Sequence, residues 1–179
     1  MFDYTSRYPV PQADYLQKTG RLLAHRLGQL FNELGYFTWI CEGQNKGVDL
    51  KVFDRYWNLV LVAEILNWSP RTNIPHTRKR KIIDNLSRYD CHRVLIYTAM
   101  GNENNLNELG LYNISIIKIG YQILPKFFYS YFEAKNQLEG RKIDSRETTL
   151  QIKSIISEYL QSLRLTTLVT PANKARTTA

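Results

Sequence analysis

The sequence is poor in the residues that mark disulfide-rich, zinc-binding or membrane-spanning proteins. Its two cysteines, Cys41 and Cys91, lie far apart and neither belongs to a Cys-x-x-Cys pair, which indicates reduced thiols in an intracellular protein. The histidines, His25, His76 and His92, have no zinc-ligand spacing among themselves or with the cysteines. No apolar run approaches the roughly 18 residues of a membrane span, and no signal-peptide pattern opens the chain. We therefore expect a cytoplasmic protein without a disulfide framework, a structural zinc site or a membrane partner.

The composition is that of an ordinary globular protein. Of the 179 residues, 44% are apolar and 22% are charged, which is sufficient for one domain with a buried core. We expect this single α/β domain to span residues 1–165, beginning with an irregular arm over residues 1–10. Residues 166–179 are expected to form a flexible C-terminal tail.

The positive charge is concentrated in one segment. The net charge is +8 and the pI is near 9.5. Seven basic and only two acidic residues lie between Arg71 and Arg93, and such a cluster suits a phosphate backbone. The alternative is a solvated helix face. The predicted nucleic-acid contacts are Arg71, Arg78, Lys79, Arg80 and Lys81.

The periodicity of apolar residues predicts a mixed sheet flanked by helices. Helical spacing indicates a first helix over about 12–34 that ends at Gly35, a basic helix over about 76–88, and a last helix opened by a capping box at Asp144 and Glu147. A short polar helix is expected over 104–109. The five predicted strands cover about 36–42, 47–54, 58–67, 92–98 and 113–119. The segment YQILPKFFYSYF has no clear period. We therefore expect an α/β fold with a central mixed sheet of about five strands.

One carboxylate interrupts the most apolar strand. Glu64 is the only polar residue between Leu59 and Leu66, a run typical of a strand with both faces covered. Burying a carboxylate there without a partner would cost several kcal/mol, roughly, or would keep it protonated. The sequence must therefore supply a partner for Glu64.

The preceding strand supplies a second carboxylate. Asp49 shares a strand face with Lys51, and the short segment DRYWN predicts an antiparallel hairpin. A two-residue loop over 56–57 or a four-residue loop over 55–58 would place Asp49 directly opposite Glu64. An odd loop length would send them to opposite faces.

Two opposed carboxylates need a compensating group because like charges repel. The options are a divalent cation, a shared proton, or a nearby lysine or arginine. Oxygen-rich sites of this kind suit Mg²⁺ or Mn²⁺. In the alternative, Asp49 caps the start of its strand and Glu64 pairs with a basic side chain.

The segments GVD and VAEILNW, joined by a hairpin and preceded by ELGYFTWICEG, resemble the core of the PD-(D/E)xK nuclease superfamily. The resemblance covers about residues 20–98 and is nearest to archaeal Holliday-junction resolvases and nucleases carried by archaeal viruses. It implies a restriction-endonuclease-like core and Mg²⁺-dependent DNA hydrolysis, including hydrolysis of branched or junction DNA. It also implies a homodimer, and the last helix and the FFYSYF segment are candidates for its interface.

The resemblance carries over to some positions and fails at others. Asp49 and Glu64 match the two metal-binding carboxylates of the superfamily. The catalytic lysine, two residues after the glutamate, falls on Leu66, and a glutamate in the first helix of the resolvases falls on Ala24. Neither side chain can replace the expected group. The chain therefore also fits a nuclease-like domain that binds nucleic acid without cutting it.

Several residues are candidates for the missing groups. Lys51 is the favoured catalytic helper because it shares a face with Asp49, although it would equally suit a surface or phosphate contact. Glu42 is a candidate for the lost helix carboxylate or a solvated loop residue. Asn67 lies one position past the lysine slot and is expected on the opposite face. His76 is expected at the start of the basic helix or on a phosphate.

Overall fold

A central sheet of five strands organises the chain. The computed structural model describes residues 12–43, 47–98 and 103–176, so the predicted N-terminal arm lies outside the described residues. The strands of this sheet are β1 (Phe37–Ile40), β2 (Leu50–Phe53), β3 (Leu59–Leu66), β4 (His92–Tyr97) and β5 (Ile114–Lys118). The helices are α1 (Gln12–Glu33), α2 (His76–Leu86), α3 (Lys126–Ala134) and α4 (Arg146–Arg176), with a 3₁₀ helix over Glu103–Tyr112.

The sheet is mixed and its strands follow the order of the chain. β1, β2 and β3 are antiparallel neighbours, whereas β3, β4 and β5 run parallel. The parallel pair β3–β4 is connected through α2, as parallel strands require a crossover. This architecture confirms the predicted α/β fold with a mixed five-stranded sheet flanked by helices.

Helices cover both faces of the sheet. On one face, α1 and α4 pack against the strands through the first core, which includes Leu27, Phe31 and Ile156. On the other face, α2 and the 3₁₀ helix form the second core around residues such as Val62 and Leu86. Because β3 is central, its side chains are buried on both sides. A polar residue in β3 is therefore held inside the protein.

Two glycines allow α1 to end in a tight turn and to pack closely against β1. Gly35 adopts a φ of 95° directly after α1, a conformation that glycine reaches without strain. Gly28 lies where α1 approaches β1, and a Cβ atom there would be 3.2 Å from Cδ1 of Ile40. The Thr38 hydroxyl also donates to the Gly28 carbonyl. The predicted end of the first helix at Gly35 is confirmed.

The β2–β3 loop differs from the sequence-based expectation. The amide of Asp54 donates to the carbonyl of Asn58 at 3.0 Å, which leaves residues 55–57 as a three-residue loop. The predicted even-numbered loop is therefore wrong. By itself an odd loop would turn the two strands out of their expected register.

A bulge in β3 compensates for the odd loop. Phe53 pairs with Leu59, whereas Val52 pairs with Leu61, so Val60 is an extra residue in β3. Val60 and Leu61 are consecutive, yet both pack against the first core. Beyond this bulge the two strands return to the register that the sequence predicts.

The N-terminus of α4 also differs in detail. The Ser145 hydroxyl accepts a hydrogen bond from the Thr148 amide at 3.2 Å, so Ser145 is the residue that caps this helix. The expected capping box of Asp144 and Glu147 is wrong because Asp144 binds the guanidinium of Arg26 instead, with an Nη2–Oδ2 distance of 2.6 Å.

The C-terminal part contains elements that the sequence did not predict. β6 (Gln122–Leu124) and β7 (Arg141–Ile143) form a parallel two-stranded sheet, and α3 contains the whole FFYSYF segment. Phe128 and Phe132 of α3 are buried against Leu124. α4 runs to Arg176, past the expected helix end near residue 166; the flexible tail over 166–179 stays a prediction.

Candidate active site

Asp49 and Glu64 lie side by side in the sheet. Glu64 is 1% exposed and Asp49, just before β2, is 6% exposed. The amide of Asp49 donates to the Ala63 carbonyl at 2.9 Å, and Oδ2 of Asp49 accepts from the Ile65 amide at 2.7 Å. Asp49 therefore contacts the residues on both sides of Glu64. The expected proximity of the two carboxyl groups is present.

The proximity of the Asp49 and Glu64 carboxyl groups affects the pKa of Glu64. Burial and the negative charge of Asp49 raise the pKa of Glu64 from its ordinary value of 4.5 to about 7. A hydrogen bond from Asn85 and the positive charge of Arg78 act in the opposite direction. Glu64 is therefore protonated at a higher pH than an ordinary glutamate.

Helix α2 supplies two polar partners of Glu64, Asn85 and Arg78. Nδ2 of Asn85 donates to Oε1 of Glu64 at 2.8 Å and also lies 3.1 Å from the Gly47 carbonyl. Nη2 of Arg78 lies 3.4 Å from Oε2 of Glu64. Residues seven apart lie on one face of a helix, since seven residues are about two turns. The expectation that Glu64 pairs with a basic side chain is confirmed, while its relation to a metal stays a prediction.

The two carboxylates could supply part of the ligand set of a cation such as Mg²⁺. Mg²⁺ is commonly held by one or two carboxylates, with waters and substrate phosphates completing its shell. A cation between Asp49 and Glu64 would also remove the repulsion that raises the pKa of Glu64. Within residues 12–43, 47–98 and 103–176, no group of three or more His, Cys, Asp or Glu side chains is placed to hold a metal ion. A cation held by Asp49 and Glu64 would therefore need further ligands from water or substrate.

Lys51 lies on the same sheet face as Glu64. It pairs with Val62, which belongs to the second core, and Glu64 is the next residue of β3 on that face. Nζ of Lys51 lies 5.3 Å from the centroid of the Tyr89 ring. Leu66, where the resemblance leads us to expect a lysine, is a buried apolar residue of the second core. Lys51 remains the candidate helper.

Other candidates lie in different surroundings. Asn67 binds the backbone of β6: its Nδ2 donates to the Ile123 carbonyl at 2.8 Å, and its Oδ1 accepts from the Ile123 amide at 2.9 Å. Glu42 is exposed and lies 3.6 Å from Nε2 of His25. Ala24 is buried in the first core. Asn67 therefore fixes the small sheet, and Glu42 faces solvent.

The basic residues predicted to bind nucleic acid differ in exposure and in whether they form ion pairs. Arg80 and Lys81 are exposed on α2, and His76 is its exposed first residue. Lys79 is buried, with Nζ 3.9 Å from Glu108. Arg71, at the surface after β3, pairs with Glu139 at 3.0 Å. The exposed cations Arg80 and Lys81 thus lie on the same helix whose inner face contacts Glu64.

Sequence reasoning missed Asn85. Its signal was the seven-residue spacing from Arg78, which places both on the helix face that meets β3, but an asparagine in a basic helix carries no distinctive pattern. No protein-family model, curated protein or solved structure matches this chain. Among the described residues, no helix has the length and apolar character of a membrane span.

Proposed function

We propose that this protein is a metal-dependent DNA nuclease that hydrolyses phosphodiester bonds. The observation that carries the proposal is the buried pair of Asp49 and Glu64, in which each carboxyl group lies in the field of the other. A sheet interior gains no stability from two like charges. A cation site is the function that this arrangement best supports.

Each group has a distinct part in the proposed reaction. Asp49 and Glu64 would hold Mg²⁺ or Mn²⁺, which supplies an activated water and polarises the scissile phosphate when bound. Asn85 fixes the orientation of the Glu64 carboxylate through its 2.8 Å hydrogen bond. Lys51, on the same face, would offset negative charge that develops on the phosphate.

The DNA would reach this site along α2. Arg80 and Lys81 are exposed on that helix, and neutralising phosphates with such side chains releases counterions. A cytoplasmic location, a homodimer and a preference for branched DNA are further parts of the proposal. Burial of Phe128 and Phe132 makes α4, rather than the FFYSYF segment, the better candidate for a dimer contact.

A cleavage assay tests the nuclease. The purified protein is incubated with linear, nicked and branched DNA in Mg²⁺ or Mn²⁺, and products are resolved on denaturing gels. We expect products with the native protein and at least about 100-fold less with Asp49→Asn or Glu64→Gln. Asp84→Asn, which removes an exposed carboxylate of α2, is the matched control and should cut normally. Undiminished cutting by both site variants would reject the mechanism.

A second function has its own support. Leu66 is buried where the superfamily has lysine, and both carboxylate oxygens of Glu64 already have partners on α2. A nuclease-like domain that binds nucleic acid without cutting it would have these features. Salt-sensitive DNA binding without products in any divalent metal would select this function over the nuclease.

A further inference from the structure

Large aromatic side chains are exposed around β1 and the β2–β3 loop. Trp39 and Trp57 are 67% and 66% exposed, and Phe37 is 43% exposed. Tyr56, in the same loop as Trp57, is also exposed. These four residues form what we call the aromatic surface. Clustered apolar exposure of this kind marks a binding site more often than isolated exposed residues do.

The aromatic surface lies on the same side of the sheet as the carboxylate pair. Trp39 pairs with Lys51, and Phe37 pairs with Phe53, so these residues share a face with Lys51. That is the face on which Glu64 meets α2. The alternate residues of β1 pack towards α1, as the hydrogen bond from Thr38 shows. The exposed rings therefore continue the face that carries the candidate active site.

Trp57 is held in an uncommon backbone conformation. Its φ is 64°, in the left-handed region that costs a bulky residue about 1–2 kcal/mol. Its ring is parallel to that of Phe37, with 4.4 Å between centroids and an interplanar angle of 3°. A glycine would fit this backbone without strain, and the chain instead places a large ring at the surface.

A cation lies against one of the exposed rings, and the nearby carboxylate of Asp54 is hydrogen-bonded within the loop. The guanidinium carbon of Arg55 lies 4.8 Å from the centroid of the Tyr56 ring. The carboxylate of Asp54 accepts from the amides of Tyr56 and Asn58 at 2.8 and 2.9 Å. Asp54 thus shapes the loop, and Arg55 provides positive charge beside the Tyr56 ring. Lys51 is the strand partner of Trp39.

We infer that the aromatic surface binds unpaired bases of a single DNA strand next to the candidate active site. Bases stack on exposed aromatic rings irrespective of sequence, and adjacent cations follow the phosphate backbone. The inference rests on the proposed DNA substrate but not on hydrolysis. It assigns the substrate class as DNA with a single-stranded segment.

A second copy of this chain is the competing occupant of the surface. Two of its rings, Phe37 and Trp39, lie on edge strand β1, where another sheet could pair. Charge favours the DNA strand, because Arg55 lies against the Tyr56 ring and Lys51 is the strand partner of Trp39. Exposed Arg80 and Lys81 add positive charge on α2, which covers the same sheet face. Two identical basic surfaces would repel each other, whereas a phosphate backbone is attracted to both sets of cations.

Binding measurements without catalysis test this inference. Fluorescence anisotropy in EDTA compares a single-stranded oligothymidylate with a duplex of the same length. Trp39→Ala and Trp57→Gly should each weaken single-strand binding about 5- to 100-fold and leave duplex affinity within about twofold. Glycine at position 57 suits the φ of 64°, so that variant removes the ring without disturbing the loop.

The matched control removes an aromatic ring elsewhere. Tyr112 is 43% exposed, the same fraction as Phe37, and it precedes β5 at the other end of the sheet. Tyr112→Ala should leave both affinities unchanged. Equal single-strand affinity in the native, Trp39→Ala and Trp57→Gly proteins would overturn the inference, as would a dimer, seen by light scattering, that only these two variants dissociate.

This experiment separates the inference from the proposed nuclease. Loss of single-strand binding in the tryptophan variants, together with no cleavage in any metal, would support the aromatic surface and reject hydrolysis. Cleavage that is abolished by Asp49→Asn, together with unaltered strand preference in the tryptophan variants, would support hydrolysis and reject the aromatic surface.

Discussion

Glu64 is a charged residue among core residues. Val62 and Leu66, its neighbours on the same face of β3, both belong to the second core. The free energy of burying Glu64 is offset by Asn85 and Arg78 and increased by Asp49. The residue is therefore stable only as a neutral acid or with compensating positive charge, which makes its effect on stability dependent on pH.

The metal-free protein should lose stability as Glu64 ionises. Its pKa is about 7 in the folded protein against 4.5 ordinarily, so the folded state binds more protons between these values. This contribution is complete below pH 4.5 and is lost as the pH rises through 7. It amounts to roughly 3 kcal/mol, with Asp49, Arg78 and Asn85 as the facing groups.

Urea unfolding in EDTA measures this effect. Between pH 5 and pH 8, Glu64→Gln should become progressively more stable relative to the native protein, because glutamine keeps an acceptor for Asn85 and does not ionise. The difference between the two proteins removes the contributions of other titrating groups. A difference that stays constant over this range would contradict the raised pKa.

Much of the residue-level site could be predicted from the sequence. A lone carboxylate in an apolar run identified Glu64, and strand alternation identified Asp49 and Lys51. Asn85 could not be found in this way, because its role depends on how α2 lies across β3. Asn67 could not be assigned either, since its partner Ile123 is far away in the chain.

At the scale of elements, the β2–β3 hairpin reached the predicted register by a different route. The sequence suggested an even loop, whereas the loop has three residues and β3 carries a bulge at Val60. Hydrophobic pattern specifies which face is buried but not where an extra residue is accommodated. The pattern of β2 and β3 was therefore a better guide than the loop length.

At the start of α4, the sequence likewise predicted the helix but not the residue that caps it. This assignment can be tested. Ser145→Ala should lower the free energy of unfolding by about 1 kcal/mol, because the Thr148 amide loses its acceptor. Glu147→Ala, at the residue of the expected capping box, is the control and should cost less than about 0.5 kcal/mol. Chemical denaturation distinguishes the two. A larger loss in the glutamate variant would restore the original assignment.

At the scale of the whole molecule, a net charge of +8 is combined with an acidic pair inside the sheet. In the proposed metal-dependent hydrolysis, the positive charge would attract the DNA and the carboxylates would hold the divalent cation. The overall α/β order could be predicted because the first five strands have strong apolar patterns. The small β6–β7 sheet could not, because its strands have three residues each.

Salt dependence tests the role of the exposed cations on α2. Arg80→Ala and Lys81→Ala should each reduce the slope of log affinity against log salt by about 0.7 to 0.9, since each removes one phosphate contact. The loss should be similar for unrelated DNA sequences. Lys142→Ala is the control, because it removes an exposed cation of β7, away from α2. Unchanged slopes in both α2 variants would place the DNA on another surface.

Titration of the native protein with Mn²⁺ tests most directly whether Asp49 and Glu64 form a cation site. Electron paramagnetic resonance reports free Mn²⁺, and we expect one ion bound per chain at pH 8. Asp49→Asn and Glu64→Gln should each weaken that binding at least about tenfold, while Asp84→Asn leaves it unchanged. Binding of Mn²⁺ with equal affinity in all four proteins would show that Asp49 and Glu64 do not form a cation site.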